Sequence, residues 1–289
     1  MDQTNKILQQ VGAAGTSAVI AVTFIHPIDL VKTRLQISGT KGSLDYMSMG
    51  VFETVKNVIK NEGVGSFWKG INAAWLRESS YTSLRLGLYE PCKNMFNCTT
   101  PENSTFAKKF AAGSTAGILG SFAGNPFDVL KTKMMTHSGK VQPSLIRISK
   151  HITSTEGLGG FYKGFDSNIM RAMVLNGTKM SCYDQIKTIT SEQFNLSKSS
   201  LINQFISAIG AGFFMATTVA PFDMVRTRLM NQSGCDKEYK NSIDCFQKIV
   251  KNEGVYVLWR GWLPIWCRFA PTTTIQLVVF EQLRKIIGM

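Results

Sequence analysis

One pattern returns three times and limits every fold this chain can adopt. It reads Pro27-Ile28-Asp29-Leu30-Val31-Lys32-Thr33-Arg34, then Pro126-Phe127-Asp128-Val129-Leu130-Lys131-Thr132-Lys133, then Pro221-Phe222-Asp223-Met224-Val225-Arg226-Thr227-Arg228. The separations are 99 and 95 residues. Recurrence at such an interval means three similar units rather than one irregular domain. The natural division of the 289 residues is 1–98, 99–194 and 195–289.

Each copy of the pattern sits within a long, mostly uncharged stretch. Helical spacing predicts three long helices, Ile7–Ile37, Phe106–Met135 and Leu201–Met230, each kinked at its proline. At about 1.5 Å per residue each spans roughly 30 Å of hydrocarbon even when bent. Thirteen residues before the prolines stand Ala14, Gly113 and Ala208, and nine before them Ala18, Gly117 and Gly212. This small-xxx-small register, shared by all three units, suits close helix contact in lipid. The mean hydropathy of +0.01 gives no sign of a membrane protein, because helices lining a wet cavity carry one polar face.

Two more patterns follow each long helix. Shorter amphipathic segments are expected at Met47–Lys60, Ser144–Thr153 and Ser242–Lys251, lying along a membrane surface. They lead into Glu62-Gly63 with Trp68-Lys69-Gly70, Glu156-Gly157 with Tyr162-Lys163-Gly164, and Glu253-Gly254 with Trp259-Arg260-Gly261. Aromatic and basic residues fit a lipid interface, and a glycine before a helix start leaves N–H groups open to a lipid phosphate. A second spanning helix per unit is then expected, at Ala73–Met95, Ser167–Thr190 and Leu263–Ile286, with Pro91 kinking or shortening the first. These carry the third pattern: Tyr89-Glu90 with Lys93, Tyr183-Asp184 with Lys187, and Phe280-Glu281 with Arg284.

The net charge of +13 points to an anionic partner. No nucleic-acid module or run of five like charges is present, so nucleic acid is not expected. Six cysteines and three histidines show no paired metal spacing, and no metal or other cofactor is expected. Only about ten residues precede the first apolar run, so no cleavable signal is expected before it.

Three copies of Px[DE]xx[KR]x[KR], each followed by [DE]Gxxxx[WYF][KR]G and [FY][DE]xx[KR], resemble the mitochondrial carrier family over almost the whole chain. The resemblance implies an all-α membrane protein. Six transmembrane helices, in three pseudo-threefold repeats with short matrix-side amphipathic helices, would surround a central cavity. It implies alternating access in the mitochondrial inner membrane, both termini facing the intermembrane space, no enzymatic activity, and function as a monomer. It pairs Asp29 with Lys131, Asp128 with Arg226 and Asp223 with Lys32 in a matrix gate braced by Gln36, where Met135 and Met230 fill the matching places. A cytoplasmic gate would pair Glu90 with Lys187, Asp184 with Arg284 and Glu281 with Lys93, braced by Tyr89 and Tyr183. The aromatic–base–glycine triplets would meet anionic lipid such as cardiolipin.

Thirteen residues before each acid of the third pattern stands an arginine, Arg77, Arg171 and Arg268. Their equivalence rests on repeat register, since thirteen residues turn a helix by about 140° from the acid. Arg85 and Lys179 follow eight residues on, and Tyr81 lies one turn from both Arg77 and Arg85. Arginine forks match carboxylate, sulfate and phosphate oxygens, so these six residues are the expected substrate site. The stretch Arg77-Glu78-Ser79-Ser80-Tyr81, with Arg85-Leu86-Gly87-Leu88-Tyr89, resembles the oxoglutarate, dicarboxylate and uncoupling branch. Lys179 departs from the neutral or acidic residue expected there and favours a more highly charged anion. Exchange of small anions is therefore the expected activity, with uncoupling-type proton or fatty-acid transport and a non-transporting scaffold or receptor as alternatives.

Overall fold

The computed structural model describes residues 2–38, 50–97, 106–137, 143–178, 184–193, 200–232 and 238–287. Three long helices carry the prolines: α1 (Asp2–Ile37), α4 (Phe106–Thr136) and α8 (Leu201–Asn231). Three short amphipathic helices follow them, α2 (Val51–Glu62), α5 (Leu145–Glu156) and α9 (Ser242–Glu253). The second long element of each repeat is α3 (Ile71–Met95) in the first and α10 (Trp262–Ile287) in the third. In the second repeat it is described as α6 (Phe165–Thr178) and α7 (Asp184–Gln193). Residues 179–183 lie outside the described set. No strand occurs among the described residues. Pro91 neither shortens nor ends α3, which runs on to Met95, contrary to expectation.

Only Gly12–Ile37 is both long and apolar enough to qualify as a span by composition, at mean hydropathy 1.5, among the described helices.

The kink at each proline has a partner that spacing did not reveal. Proline donates no hydrogen bond to the carbonyl four residues back. For Pro27 that carbonyl belongs to Thr23, and the Trp68 indole donates to it at 3.2 Å. For Pro221 it belongs to Thr217, and Trp259 donates to it at 3.0 Å. Trp75 and Trp262 donate to the hydroxyls of the same two threonines, at 2.9 and 3.0 Å. Tyr162 replaces the tryptophan in repeat 2, and its ring lies 4.8 Å from that of Phe122, the residue four before Pro126. The residue before each of the first two prolines also reaches this loop: His26 Nε2 donates to the Lys69 carbonyl and Asn125 to that of Phe161, both at 2.8 Å.

The four residues inside the second pattern, with the aromatic that follows them, form a 3₁₀ turn in every repeat: Val64–Trp68, Leu158–Tyr162 and Val255–Trp259. Each turn lies between two glycines at positive φ, for instance Gly63 at 83° and Gly70 at 82°. A side chain would be strained at either position.

The amphipathic helices are two-sided. Val58, Ile152 and Ile249 are buried against the ends of the long helices, together with residues such as Leu30, Leu35, Val129 and Met224. This inner face packs on protein, where amphipathicity alone had suggested a membrane surface. An outer edge stays apolar and exposed at equivalent positions, with Phe52, Ile146 and Ile243 on the helices and Val64, Leu158 and Val255 in the turns.

The proline–tryptophan link makes a testable prediction. Trp68→Phe should cost about 0.5–1.5 kcal/mol, the net worth of one hydrogen bond. In a Pro27→Ala background the restored N–H serves Thr23, so the same change should cost less. Thermal unfolding of the four detergent-solubilised proteins of this double-mutant cycle measures the coupling.

Candidate functional site

The ends of α1, α4 and α8 converge on three buried carboxylates. Asp29 Oδ2 accepts from Lys131 Nζ at 2.8 Å, Asp128 Oδ2 from Arg226 Nη2 at 2.7 Å, and Asp223 Oδ2 from Lys32 Nζ at 2.6 Å. Each pair joins two different repeats, and the three close a ring. Proline, acid and base lie on one helical turn and a half, so the bend that brings the helices together also places both partners.

The other oxygen of each acid is taken as well. Arg268 Nη1 lies 3.1 Å from Asp29 Oδ1, Arg77 Nε 3.3 Å from Asp128 Oδ1, and Arg171 Nε bonds Asp223 Oδ1. The three equivalent arginines thus lie directly on the ring and are held by its acids. Repeat register had put the three arginines at one level, and the structure adds their contact with the ring acids. A buried carboxylate with two oxygens satisfies two donors, and a lone arginine at that depth is costly. Arg77 also pairs with Glu78 of its own helix. In this layer six bases, Lys32, Lys131, Arg226, Arg77, Arg171 and Arg268, face four acids, Asp29, Asp128, Asp223 and Glu78. The formal excess is two positive charges.

Tyr81 sits between two cations. Its ring centroid is 4.8 Å from the Arg77 guanidinium and 5.4 Å from that of Arg85, a cation–π arrangement on both sides. The ring rests on Gly120 and Gly124 of α4, where added Cβ atoms would stand 3.4 and 3.9 Å from its Cδ2. Arg85 is exposed, and Lys179 lies outside the described residues.

Below the ring, Thr227 Oγ1 lies 2.8 Å from Gln36 Oε1. Thr33 meets Met135 Sδ at 3.6 Å and Thr132 meets Met230 Sδ at 3.8 Å. The bracing position therefore meets the neighbouring repeat's threonine in all three places, with one strong acceptor and two weak ones.

A second layer of ion pairs was not foreseen. The last base of the first pattern meets the acid of the second: Arg34 bonds Glu62, Lys133 bonds Glu156 at 2.9 Å, and Arg228 bonds Glu253 at 2.7 Å. Lys69 and Lys163 join Glu62 and Glu156. These groups also cap the next long helix. Arg34 donates to the Met135 and His137 carbonyls, Lys163 to that of Gln232, and Arg228 to those of Gln36 and Ser38. Cations at helix C-termini are favourable. The repeated acid at a fixed distance after the base was the available signal.

This layer changes the setting of the residues assigned to lipid. Lys69 is 2% exposed, and its ammonium faces Glu62 rather than the surface. Gly70, Gly164 and Gly261 press on the next repeat, where an added Cβ would stand 3.3, 3.4 and 3.6 Å from the carbonyl oxygens of Lys131, Arg226 and Lys32. The three glycines therefore lean on the backbone of the three ring bases. Trp68 and Trp259 serve the proline carbonyls described above, and Tyr162 stacks at the corresponding place. Arg260 caps the turn with its backbone N–H, donated to Val257.

At the opposite end, Lys93 pairs with Glu90 on its own helix at 2.8 Å and lies 4.7 Å over the Tyr89 ring. The expected Lys93–Glu281 pair is not among the described ion pairs, and Glu90 and Glu281 are both exposed. Tyr183 lies outside the described residues, and Asp184, Lys187 and Arg284 are described only by their backbone. The bundle is thus shut at the proline end.

Glu62 and Glu156 titrate in the outer layer. Burial opposes their charge, but hydrogen bonds from Arg34 and Lys69, and from Lys163 and Lys133, hold both carboxyls below the usual 4.5. Their contribution to stability is full above that value and is lost as pH falls through the lowered folded-state values. Glu62→Gln should therefore lower the melting temperature at neutral pH and shrink the loss of stability between pH 5 and about 3. Melting curves of both proteins across that range check this.

Comparison with known proteins agrees with this geometry. The family model described as mitochondrial carrier protein matches residues 3–99, 102–194 and 197–289. A mitochondrial substrate carrier family protein, ucpB, of Dictyostelium discoideum is 34% identical over 95% of this chain and 94% of its own. The mitochondrial 2-oxoglutarate/malate carrier protein of Caenorhabditis elegans is 32% identical over 93% and 89%. Mitochondrial uncoupling protein 3 of Arabidopsis thaliana is 31% identical over 96% and 93%. Three repeats of two long helices closed by a ring of acid–base pairs are the family's architecture, and its members are transporters. The chain belongs to the mitochondrial carrier family and is a transporter of the mitochondrial inner membrane.

Proposed function

We propose that the chain exchanges small anions by alternating access, taking dicarboxylates or oxoacids with phosphate or sulfate as counter-substrate. The observation that carries this reading is the arginine triad: Arg77, Arg171 and Arg268 each bonded to an acid of the closed ring. An entering carboxylate offers the same ligand that Asp128, Asp223 and Asp29 now supply. By taking arginines away it leaves each ring acid with a single base, which weakens the ring it rests on. Binding and opening are then one event. The excess of two positive charges in this layer matches a dianion. Tyr81, Arg85 and Lys179 would guide the anion down to the triad.

In this reading Asp29, Lys32, Gln36, Asp128, Lys131, Asp223 and Arg226 form the matrix gate. Tyr89, Glu90, Lys93, Tyr183, Asp184, Lys187, Glu281 and Arg284 form the cytoplasmic gate, and both termini face the intermembrane space. The outward apolar edge of Phe52, Ile146 and Ile243 would seat the short helices in the matrix leaflet, with anionic lipid such as cardiolipin beside the second-pattern turns. One chain closes the ring by itself, which supports a working monomer.

Relatives named uncoupling proteins favour a second reading, proton or fatty-acid transport on the same scaffold. A scaffold or receptor without transport has no use for a ring that shares its acids with cavity arginines. Purified protein in liposomes should exchange labelled malate, oxoglutarate or sulfate. Arg171→Ala should reduce that exchange by about tenfold or more, the worth of a charge-assisted hydrogen bond. Proton leak with no anion exchange would overturn the anion reading in favour of the second.

A further inference from the structure

The arginine layer is threefold in its bases but not in its acids. Glu78 follows Arg77, whereas Ala172 follows Arg171 and Phe269 follows Arg268. Phe269 is spent on packing, its Cβ lying 3.1 Å from where a Cβ on Gly212 would stand. Glu78 instead bonds Arg77, so this one guanidinium holds two carboxylates, its own neighbour and Asp128 of α4. Residues adjacent in a helix normally point apart. Here the two head groups meet at the level of the ring, with about a fifth of each side chain still exposed.

The surrounding charges are already committed. From α10, Arg268 lies on Asp29, and from α6, Arg171 lies on Asp223. From α4, Lys131 holds Asp29, and from α8, Arg226 holds Asp128. From α1, Lys32 holds Asp223 and His26 Nε2 bonds the Lys69 carbonyl. On α3 itself, Tyr81 stands between Arg77 and Arg85. No second cation among the described groups is within ion-pair distance of Glu78. An anion that takes Arg77 therefore sets a second negative charge beside a carboxylate that has lost its partner, and a like charge nearby favours the protonated form.

We propose that Glu78 is a proton-carrying site, and that besides exchange the carrier performs net, proton-linked uptake of its anion. The proposal rests on the anion reading above and adds the co-transported ion. A proton from water on the open side joins the Glu78 carboxylate as the anion displaces it from Arg77. Proton and anion then cross together. When the anion leaves, the carboxyl O–H bond breaks, the proton returns to water on the far side, and Arg77 recovers Glu78. No other bond changes. The asymmetry of the acids is what this requires, since one proton per cycle needs one such carboxylate.

The test uses the full chain in liposomes containing a trapped pH dye, with the membrane potential clamped. Labelled malate is supplied outside, to vesicles either free of internal anion or loaded with it. Wild type should take malate into anion-free vesicles with one proton per malate, and the accumulation ratio should rise about tenfold per imposed pH unit. In Glu78→Gln the protons moved per malate should fall to zero, whatever its absolute rate. Glu78→Asp, which keeps a titratable carboxyl, should restore the ratio. Uptake by wild type without protons, or exchange in loaded vesicles with no net uptake in empty ones, overturns the proposal alone. So does an unchanged proton ratio in Glu78→Gln. Loss of all transport in both variants also overturns it, because Glu78 would then serve only to hold Arg77. Wild-type protein that moves no anion under any condition removes the anion reading itself, and this proposal with it.

Discussion

Asp29, Asp128 and Asp223 each divide two oxygens between bases of the two other repeats. Every repeat is thereby tied to both neighbours through a single buried group, and losing one acid would strand two cations at once. Breaking a buried pair by removing one partner typically costs about 3–5 kcal/mol. The closed end of the bundle depends on this sharing. The same sharing makes the closure conditional, because one base of each two is an arginine that a small anion can also bind.

Around that ring the fold supplies a set of local compensations. Proline bends each long helix inward and leaves a carbonyl unserved, which a tryptophan of the second pattern takes up in repeats 1 and 3. Glycines at positive φ let the 3₁₀ turn form and let the next helix start against the neighbouring ring base. The outer pairs, such as Arg34 with Glu62 and Arg228 with Glu253, cap the neighbouring helix ends. Residues that share a motif therefore share a task. The first pattern makes the bend and the ring, and the second repairs the bend and supports the ring from outside.

Much of this was legible in the residues, and what was not has physical reasons. The family resemblance supplied the three ring pairs, and repeat register the equivalence of Arg77, Arg171 and Arg268, because threefold geometry converts equal spacing into equal depth. Register says nothing of how far a guanidinium reaches, so the contact of those arginines with the ring acids was missed. Hydrophobic periodicity found α2, α5 and α9 but not which surface each apolar face meets, since burial against protein and against lipid produces the same pattern. The Trp68–Thr23 bond was hidden because its acceptor is a backbone carbonyl, which leaves no mark in composition. Pro91 was read as kinking or shortening its helix, yet α3 passes through it to Met95.

The central claim is that an anion opens the matrix ring by competing for its arginines. The exposed ends of the three short helices offer label positions at Asn61, Thr155 and Lys251, one in each repeat. With the native cysteines replaced, spin labels placed there in pairs would report the distances between repeats at the ring end of the bundle. One narrow distance population per pair is predicted without anion, and a second, longer population when a transported dicarboxylate is added at saturating concentration. Distances that stay the same with and without such an anion, in protein shown to transport it, would contradict the account.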